Sequence, residues 1–364
     1  MGNRIRVAVI YGGRSSEHSI SCISAASVLR AIDAAKYDVI AIGITQDGQW
    51  VLGESDPDML QVRNGEFPVV KPNSTSVTFT TTSVGAKLEI RDDDSLVQSD
   101  IDVVFPVLHG PYGEDGTIQG LCDLMGIPYV GSGVFASAAS MDKAHMKSML
   151  RAANISVGPY EVVTDYEWTH HRDDAVARIN QLTYPLFVKP CRAGSSMGIT
   201  KVSSPDDVMN ALEFARVHDS KVIVESSIEN AREIECGVLG TVTGPKASVC
   251  AEIIVRQGHD FYDFEAKYVD DSVDLVVPAQ LADDVMSKAQ ELAKRTFIAM
   301  DCAGLARIDM FIAGDDVVVN ELNTMPGFTP ISMFPRMWAQ SGIDYPTLID
   351  GLIQDALRRG DELH

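Results

Sequence analysis

Cysteine patterns that bind metal are missing from this chain. Its six cysteines are Cys22, Cys122, Cys191, Cys236, Cys250 and Cys302; the closest two lie fourteen residues apart, and no CxxC pair or Cys/His cluster occurs. That excludes the common zinc spacings and a small disulfide-stapled scaffold, and favours free buried thiols in a reducing compartment. Long apolar runs are also missing: none approaches the roughly 18 residues of a membrane-spanning helix. Ile5–Ile10, behind Arg4 and Arg6, is too short for a signal-peptide core. The expectation is a soluble, cytoplasmic protein. Basic residues are scarce, 30 Lys and Arg against 51 Asp and Glu, for a formal net charge of −21. Such a surface repels phosphate backbones and anionic lipid, so nucleic acid and membranes are poor partners. An anionic substrate needs a local island of Lys and Arg.

A chain of 364 residues, 45% hydrophobic and 22% charged, is ordinary in composition but too long for one simple core. Ile5–Tyr11 reads as a strand ending at Gly12-Gly13, and a helical pattern follows over Glu17–Ala31. Further strands fit Tyr37–Ile44 and Asp102–Leu108, and a helix fits Thr117–Met125, stopped by Gly126 ahead of Pro128. This is the rhythm of a parallel doubly wound unit. Residues 53–100 read as short irregular strands. A helix over Met141–Ala153 then leads into an α+β unit. In it the strands Leu186–Lys189 and Ile199–Val202 are joined by the loop Pro190–Gly198, with Pro205–Arg216 helical and Val222–Glu225 extended. A third region opens with Glu233–Leu239 and contains the long helix Ala282–Ala299. The expected domains are 1–135, 136–230 and 231–364, of mixed α/β and α+β class.

The most informative segment is Gly304–Gly327. Two apolar β-runs, Leu305–Ala313 and Val317–Leu322, flank a Gly314-Asp315-Asp316 turn, a strong hairpin signal. If the turn centres on Asp315, Asp309 faces Glu321 and Arg307 faces Asn323, all on one face with Phe311 and Val319. Ile308, Met310, Ile312, Val318 and Leu322 then take the other face. Two opposed carboxylates among apolar neighbours need a cation between them. Asp, Glu and Asn oxygens suit Mg²⁺ shared with nucleotide phosphates. The alternative is a structural salt bridge from Arg307 to one carboxylate. The turn Asn323-Thr324-Met325-Pro326-Gly327 can aim a backbone N–H at a reacting oxygen.

Other segments carry their own chemistry. Lys189 at a strand end precedes the small-residue loop Pro190–Gly198, which can lay N–H groups along phosphate oxygens; it is not a Walker A sequence, because the Lys precedes the glycines. Gly12-Gly13 opens a helix N-terminus that attracts anions, but no GxGxxG is present, so dinucleotide binding is set aside.

The pattern G-x-x-R-I-D at Gly304–Asp309 followed by N-E-L-N-T-M-P-G at Asn320–Gly327 resembles the C-terminal signature of the D-alanine–D-alanine ligase family, within the ATP-grasp superfamily. His109–Gly120 (HGPYGEDGTIQG) matches a second signature, and further likenesses at Tyr11–Ser19, Lys189–Gly198 and Tyr262–Tyr268 extend over nearly the whole chain. The resemblance implies an ATP-grasp fold preceded by an N-terminal Rossmann-like domain. It implies ATP and two Mg²⁺ (or Mn²⁺) as cofactors, two molecules of D-alanine as substrates, and a homodimer.

It also implies roles. Lys143, Lys189, Ser195 and Ser196 would contact nucleotide phosphates, with Lys267 reaching them from a lid closed by Tyr268. Glu225, Ser226, Ile228 and Glu233 would hold adenine and ribose, Ser226 and Ile228 through backbone groups. Ser226 and Ser227 depart from the family, where a charged or aromatic residue is common. Glu17 would hold the first D-alanine ammonium, with Ser195 and Tyr268 bonded to it and His109 nearby. Asp309, Glu321 and Asn323 would hold the metals, Arg307 and the Gly327 N–H the oxyanion, and Ser332 and Met333 the second carboxylate. The expected reaction makes D-alanyl-D-alanine for peptidoglycan through a D-alanyl phosphate. Tyr268 points to an amine acceptor rather than D-lactate. A nucleotide-binding protein without chemistry and a Rossmann oxidoreductase are the other readings.

Overall fold

The computed structural model describes residues 4–82, 85–93, 95–255 and 273–362. Near the N-terminus, Ile5–Gly12 pairs in parallel with Tyr37–Ile44 on one side and Val103–Pro106 on the other; Trp50–Leu52 adds an antiparallel edge. Val7–Ile10 are completely buried, as a strand covered on both faces requires. Residues 76–100 are more regular than expected: Ser76–Thr82, Gly85–Asp92 and Ser95–Asp100 form an antiparallel meander. Alternating Val77 and Phe79 against Leu88 and Ile90 supply the period of two, and one face packs with Ile118 and Cys122 of the helix Thr117–Met125.

The middle of the chain folds as a four-stranded antiparallel sheet, ordered Thr200–Val202, Leu186–Pro190, Val222–Ser226, Tyr160–Val163. The helices that cover it bury Trp168, Ala175 and Leu212 on Val188 and Val224. The helix expected over 141–153 forms as Lys143–Ala152, and a further helix, Val134–Met141, precedes it. Asp142 breaks the run because its side chain accepts from the N–H groups of Ala144 and His145, capping the second helix. Lys143 is thereby fixed at a helix start.

The largest sheet is five-stranded and antiparallel, ordered Val273–Val276, Lys246–Val255, Arg232–Leu239, Leu305–Ala313, Asp316–Asn323. Val285, Ala289, Ala293 and Phe297 of the helix Asp283–Ala299 pack on Ile234, Cys236, Ile308 and Met310; Met146 and Leu150 of the Lys143 helix join this core. The last helix, Tyr345–Glu362, returns to the first sheet, where Leu352 and Ile353 meet Val7, Val9 and Phe105. All six cysteines are free. Among the described residues no helix is long and apolar enough to cross a membrane.

Hairpin register is where expectation and structure part. Arg307 does pair with Asn323 and Asp309 with Glu321, but beyond them Met310 pairs with Val319, Phe311 with Val318 and Ala313 with Asp316. The turn is therefore the two residues Gly314-Asp315, and a bulge at Asn320 restores the expected pairing toward the site. As a result Val319, not Val318, enters the core. A second strand-like contact explains the bulge: the Val319 N–H donates to the Ser156 carbonyl at 2.9 Å, drawing the strand aside.

Candidate active site

A cleft of about 910 Å³ lies between the N-terminal loops, the four-stranded antiparallel sheet and the five-stranded sheet. Lys143, Lys189, Lys201, Arg307 and Arg336 line it, which is the cationic island an acidic chain needs to bind an anion.

One wall is the bulged hairpin. Arg307 grips Asp309 with two bonds of 2.7 Å, and the Asn323 amide donates to Asp309 Oδ2 at 3.0 Å. Lys143 Nζ stands 3.7 Å from Glu321 Oε2. The cation required beside the paired carboxylates is thus supplied here by the protein's own Arg307 and Lys143, so the structural salt bridge weighed against a metal site does form. A third carboxylate was not foreseen: Glu235, on the neighbouring strand and paired in register with Asp309, lies 3.3 Å from Arg307 Nε. Its spacing of two from Glu233 puts both on one strand face, a signal the sequence contained. Burial works against the Arg307 charge, but Asp309 and Glu235 outweigh it and hold the guanidinium well above its ordinary pKa.

The opposite wall is made of loops. Glu17, nearly buried at the start of the helix His18–Ala31, accepts a hydrogen bond from Ser195 Oγ across the cleft. A Cβ on Gly110 would sit 2.6 Å from Glu17 Oε2, and one on Gly194 2.8 Å from the same atom, so two glycines make room for this carboxylate. Ser195 and Ser196 hold φ of 48° and 57°, left-handed values uncommon outside glycine. His109 is buried, its Nε2 at 2.9 Å from Ser24 Oγ and its Nδ1 at 3.2 Å from the Met325 carbonyl. Burial lowers its pKa against the pull of Glu17, which favours a neutral ring. Glu114, part of the HGPYGEDG segment but not foreseen as a site residue, accepts from the Gly110 N–H at 2.6 Å and the Met325 N–H at 3.3 Å. Desolvation and the nearby Glu17 push its carboxyl up to about 8.

At the end of the cleft beside the four-stranded sheet, Lys189 Nζ meets Glu225 Oε2 at 2.5 Å and Lys143 Nζ donates to the Ala193 carbonyl at 3.0 Å. Glu225 is buried, and although burial would raise its pKa, Lys147 and Lys189 bring it down to about 2. Lys147 was missed, although a spacing of four from Lys143 puts it on the same helix face. Burial lowers the Lys147 pKa; Lys189 is raised because Glu225 outweighs its burial. The Ser226 N–H donates to the Pro159 carbonyl at 3.0 Å, so this residue can offer a base edge its carbonyl but not its N–H. Ile228 and Glu233 line the same end, as does Ser196.

Beyond the hairpin, a Cβ on Gly327 would lie 3.0 Å from Ser332 Oγ, showing how tightly the turn packs on the next helix. Ser332 precedes that helix, Met333–Gln340, and its hydroxyl is bonded to the Thr329 N–H and Oγ1 rather than to the helix. The Met333 side chain is core, packed with Met337 and Ile253, which leaves its backbone for a ligand. Lys267 and Tyr268 lie outside the described residues.

The N-terminal model of the D-Ala D-Ala ligase family matches residues 6–132 and the C-terminal model residues 149–354. The chain belongs to the D-alanine–D-alanine ligase family. It is 50% identical to the D-alanine–D-alanine ligase of Mycobacterium bovis, over 99% of this chain and 98% of the relative. In structure it is similar to the D-alanine–D-alanine ligase of Coxiella burnetii, with a TM-score of 0.83 and 32% identity, covering 100% of this chain and 96% of the other. It is also similar to the VanG D-Ala:D-Ser ligase of Enterococcus faecalis, with a TM-score of 0.82 and 35% identity over 97% and 100% of the two chains. Membership brings the ATP-grasp fold of the family, with its α/β and α+β parts.

Among the described residues no three His, Cys, Asp or Glu side chains stand together as a ready metal site. The donor chemistry nonetheless fits divalent magnesium. Asp309 and Glu321 are adjacent in register with Asn323 beside them, a set of hard oxygen ligands that phosphate oxygens could complete.

Proposed function

We propose that this chain joins two D-alanine molecules into D-alanyl-D-alanine with ATP, giving ADP and phosphate. The observation that carries the reading is the meeting, in one cleft, of Glu17 bonded to Ser195 with Arg307 and a lysine island. A carboxylate suited to an amino acid's ammonium faces cations suited to its activated carboxyl.

An amine does not displace oxide from a carboxylate, so the first D-alanine is activated as its acyl phosphate. The γ-phosphoryl group passes from ATP to a carboxylate oxygen and ADP departs. Lys143 and Lys189 hold the phosphate oxygens, with the Ser195-Ser196 backbone along them. The Ser226 carbonyl and the Ile228 N–H read adenine, and Glu233 takes the ribose hydroxyls. Asp309, Glu321 and Asn323 would hold two magnesium or manganese ions, whose chemistry is neutralisation of β- and γ-phosphate charge. Glu17 fixes the first ammonium, and His109 braces the loop beside it. The neutral amine of the second D-alanine attacks the acyl carbon; Arg307 and the Gly327 N–H hold the oxyanion until phosphate leaves, taking up the proton that the nitrogen gives up. Ser332 and the Met333 N–H, at a helix start, hold the second carboxylate. The product supplies peptidoglycan synthesis. A homodimer in the cytoplasm completes the reading, on family resemblance.

Phosphate release with ATP and Mg²⁺ tests it. Release is expected with D-alanine and not with L-alanine or without amino acid. Equal release in all three would make the chain a simple ATPase, and none in any would leave a nucleotide-binding protein without chemistry.

A further inference from the structure

Lys147 lies behind the cleft rather than in it, yet it touches two of its walls. It is 2% exposed, one helical turn after Lys143. Its ammonium donates to the Asn320 carbonyl at 2.9 Å and stands 2.9 Å from Glu225 Oε1. The other carboxylate oxygen, Oε2, is held by Lys189 at 2.5 Å. One buried carboxylate therefore has two ammonium partners, one per oxygen, and of the two lysines it is Lys189 that lines the cleft.

Polyphosphate entering the cleft competes with Glu225 for Lys189. Were Lys189 the sole partner, its withdrawal would leave a buried anion unpaired, which is strongly unfavourable. Lys147 cannot make the same move. Its ammonium is tied to the bulge carbonyl of Asn320, at the point where the hairpin register shifts. We propose that Lys147 is a positioning residue, the resident counter-ion of Glu225 that frees Lys189 for the nucleotide phosphates. The proposal rests on the nucleotide reading of this end of the cleft. It also gives the bulge a purpose, since a regular ladder would pair the carbonyl that Lys147 uses.

Steady-state kinetics of the full chain, with ATP varied at saturating D-alanine, test it. In K147M, KM for ATP should rise by about tenfold or more while kcat stays within about threefold. K147R, which keeps the charge, should stay within about threefold of the parent KM. In an E225Q background, adding K147M should change KM for ATP by less than about twofold, because no buried anion then competes for Lys189. An equal effect of K147M with and without Glu225, or an unchanged KM in folded K147M, overturns the proposal. If K147M does not fold, K147Q against K147R carries the same comparison. K189M separates two failures: if it leaves KM for ATP unchanged, the nucleotide reading falls. If it raises KM while K147M does not, the Lys147 assignment alone falls.

Discussion

The hairpin wall and the loop wall of the cleft are built by different rules. On the hairpin, backbone pairing delivers Arg307 opposite Asn323 and Asp309 opposite Glu321, and the side chains follow from a period of two. On the loop wall, Glu17 meets Ser195 from 178 residues away, with Gly110 and Gly194 clearing space for it. The first wall is stiff and preorganised, suited to charge that develops in a transition state. The second wall joins loops far apart in the chain, with no strand ladder between them to fix its geometry. The comparison teaches that removing a hairpin group should damage turnover, whereas removing a loop group should damage capture of the first substrate.

The largest effect expected is from Arg307→Ala. It removes the cation proposed to hold the oxyanion and releases Asp309, so kcat should fall by at least about 10²–10³. Single-turnover phosphate release reads this directly, and a kcat within a few-fold of the parent would break the assignment of the hairpin wall. Glu17→Gln comes next. It keeps the shape and removes the charge, so kcat/KM for D-alanine should fall by about tenfold to a hundredfold with KM for ATP unchanged. A loss confined to ATP would mean that the two walls divide their work differently.

Glu114→Gln should have the smallest effect, seen in stability against pH. In the folded chain the Glu114 carboxyl titrates near 8, above its ordinary value of 4.5, so the folded state holds a proton that the unfolded state has lost between those values. Its contribution is present below about 4.5 and is lost as pH rises toward 8. The melting temperature of the parent minus that of Glu114→Gln should therefore decline across this window and level off above it. A difference that rises with pH would mean that the Gly110 and Met325 N–H groups dominate over burial and Glu17.

Legibility in the sequence followed the same division. Alternation on Leu305–Ala313 and Val317–Leu322 made the hairpin and its facing carboxylates readable. Even so, the turn was placed one residue too long, and the bulge at Asn320 compensated for it. Nothing local announces that bulge, because the Ser156 carbonyl that draws Val319 aside lies far away in sequence. Lys147 and Glu235 could have been found by extending the helix and strand periods already in use. Glu225 came from the family likeness alone, since its ion pairs need two lysines brought from different elements. Ser195 with Glu17 came from family likeness and not from spacing, because no periodicity connects loops of two domains.

In the proposed reaction a D-alanine carboxylate accepts the phosphoryl group before the peptide bond forms. D-alanine labelled with ¹⁸O in both carboxyl oxygens, incubated with ATP, Mg²⁺ and the protein, tests this directly by mass spectrometry of the released phosphate and the dipeptide. One ¹⁸O is expected in each phosphate released, with three kept in D-alanyl-D-alanine, one at its peptide carbonyl and two at its carboxylate. Unlabelled phosphate, with dipeptide still formed, would contradict it.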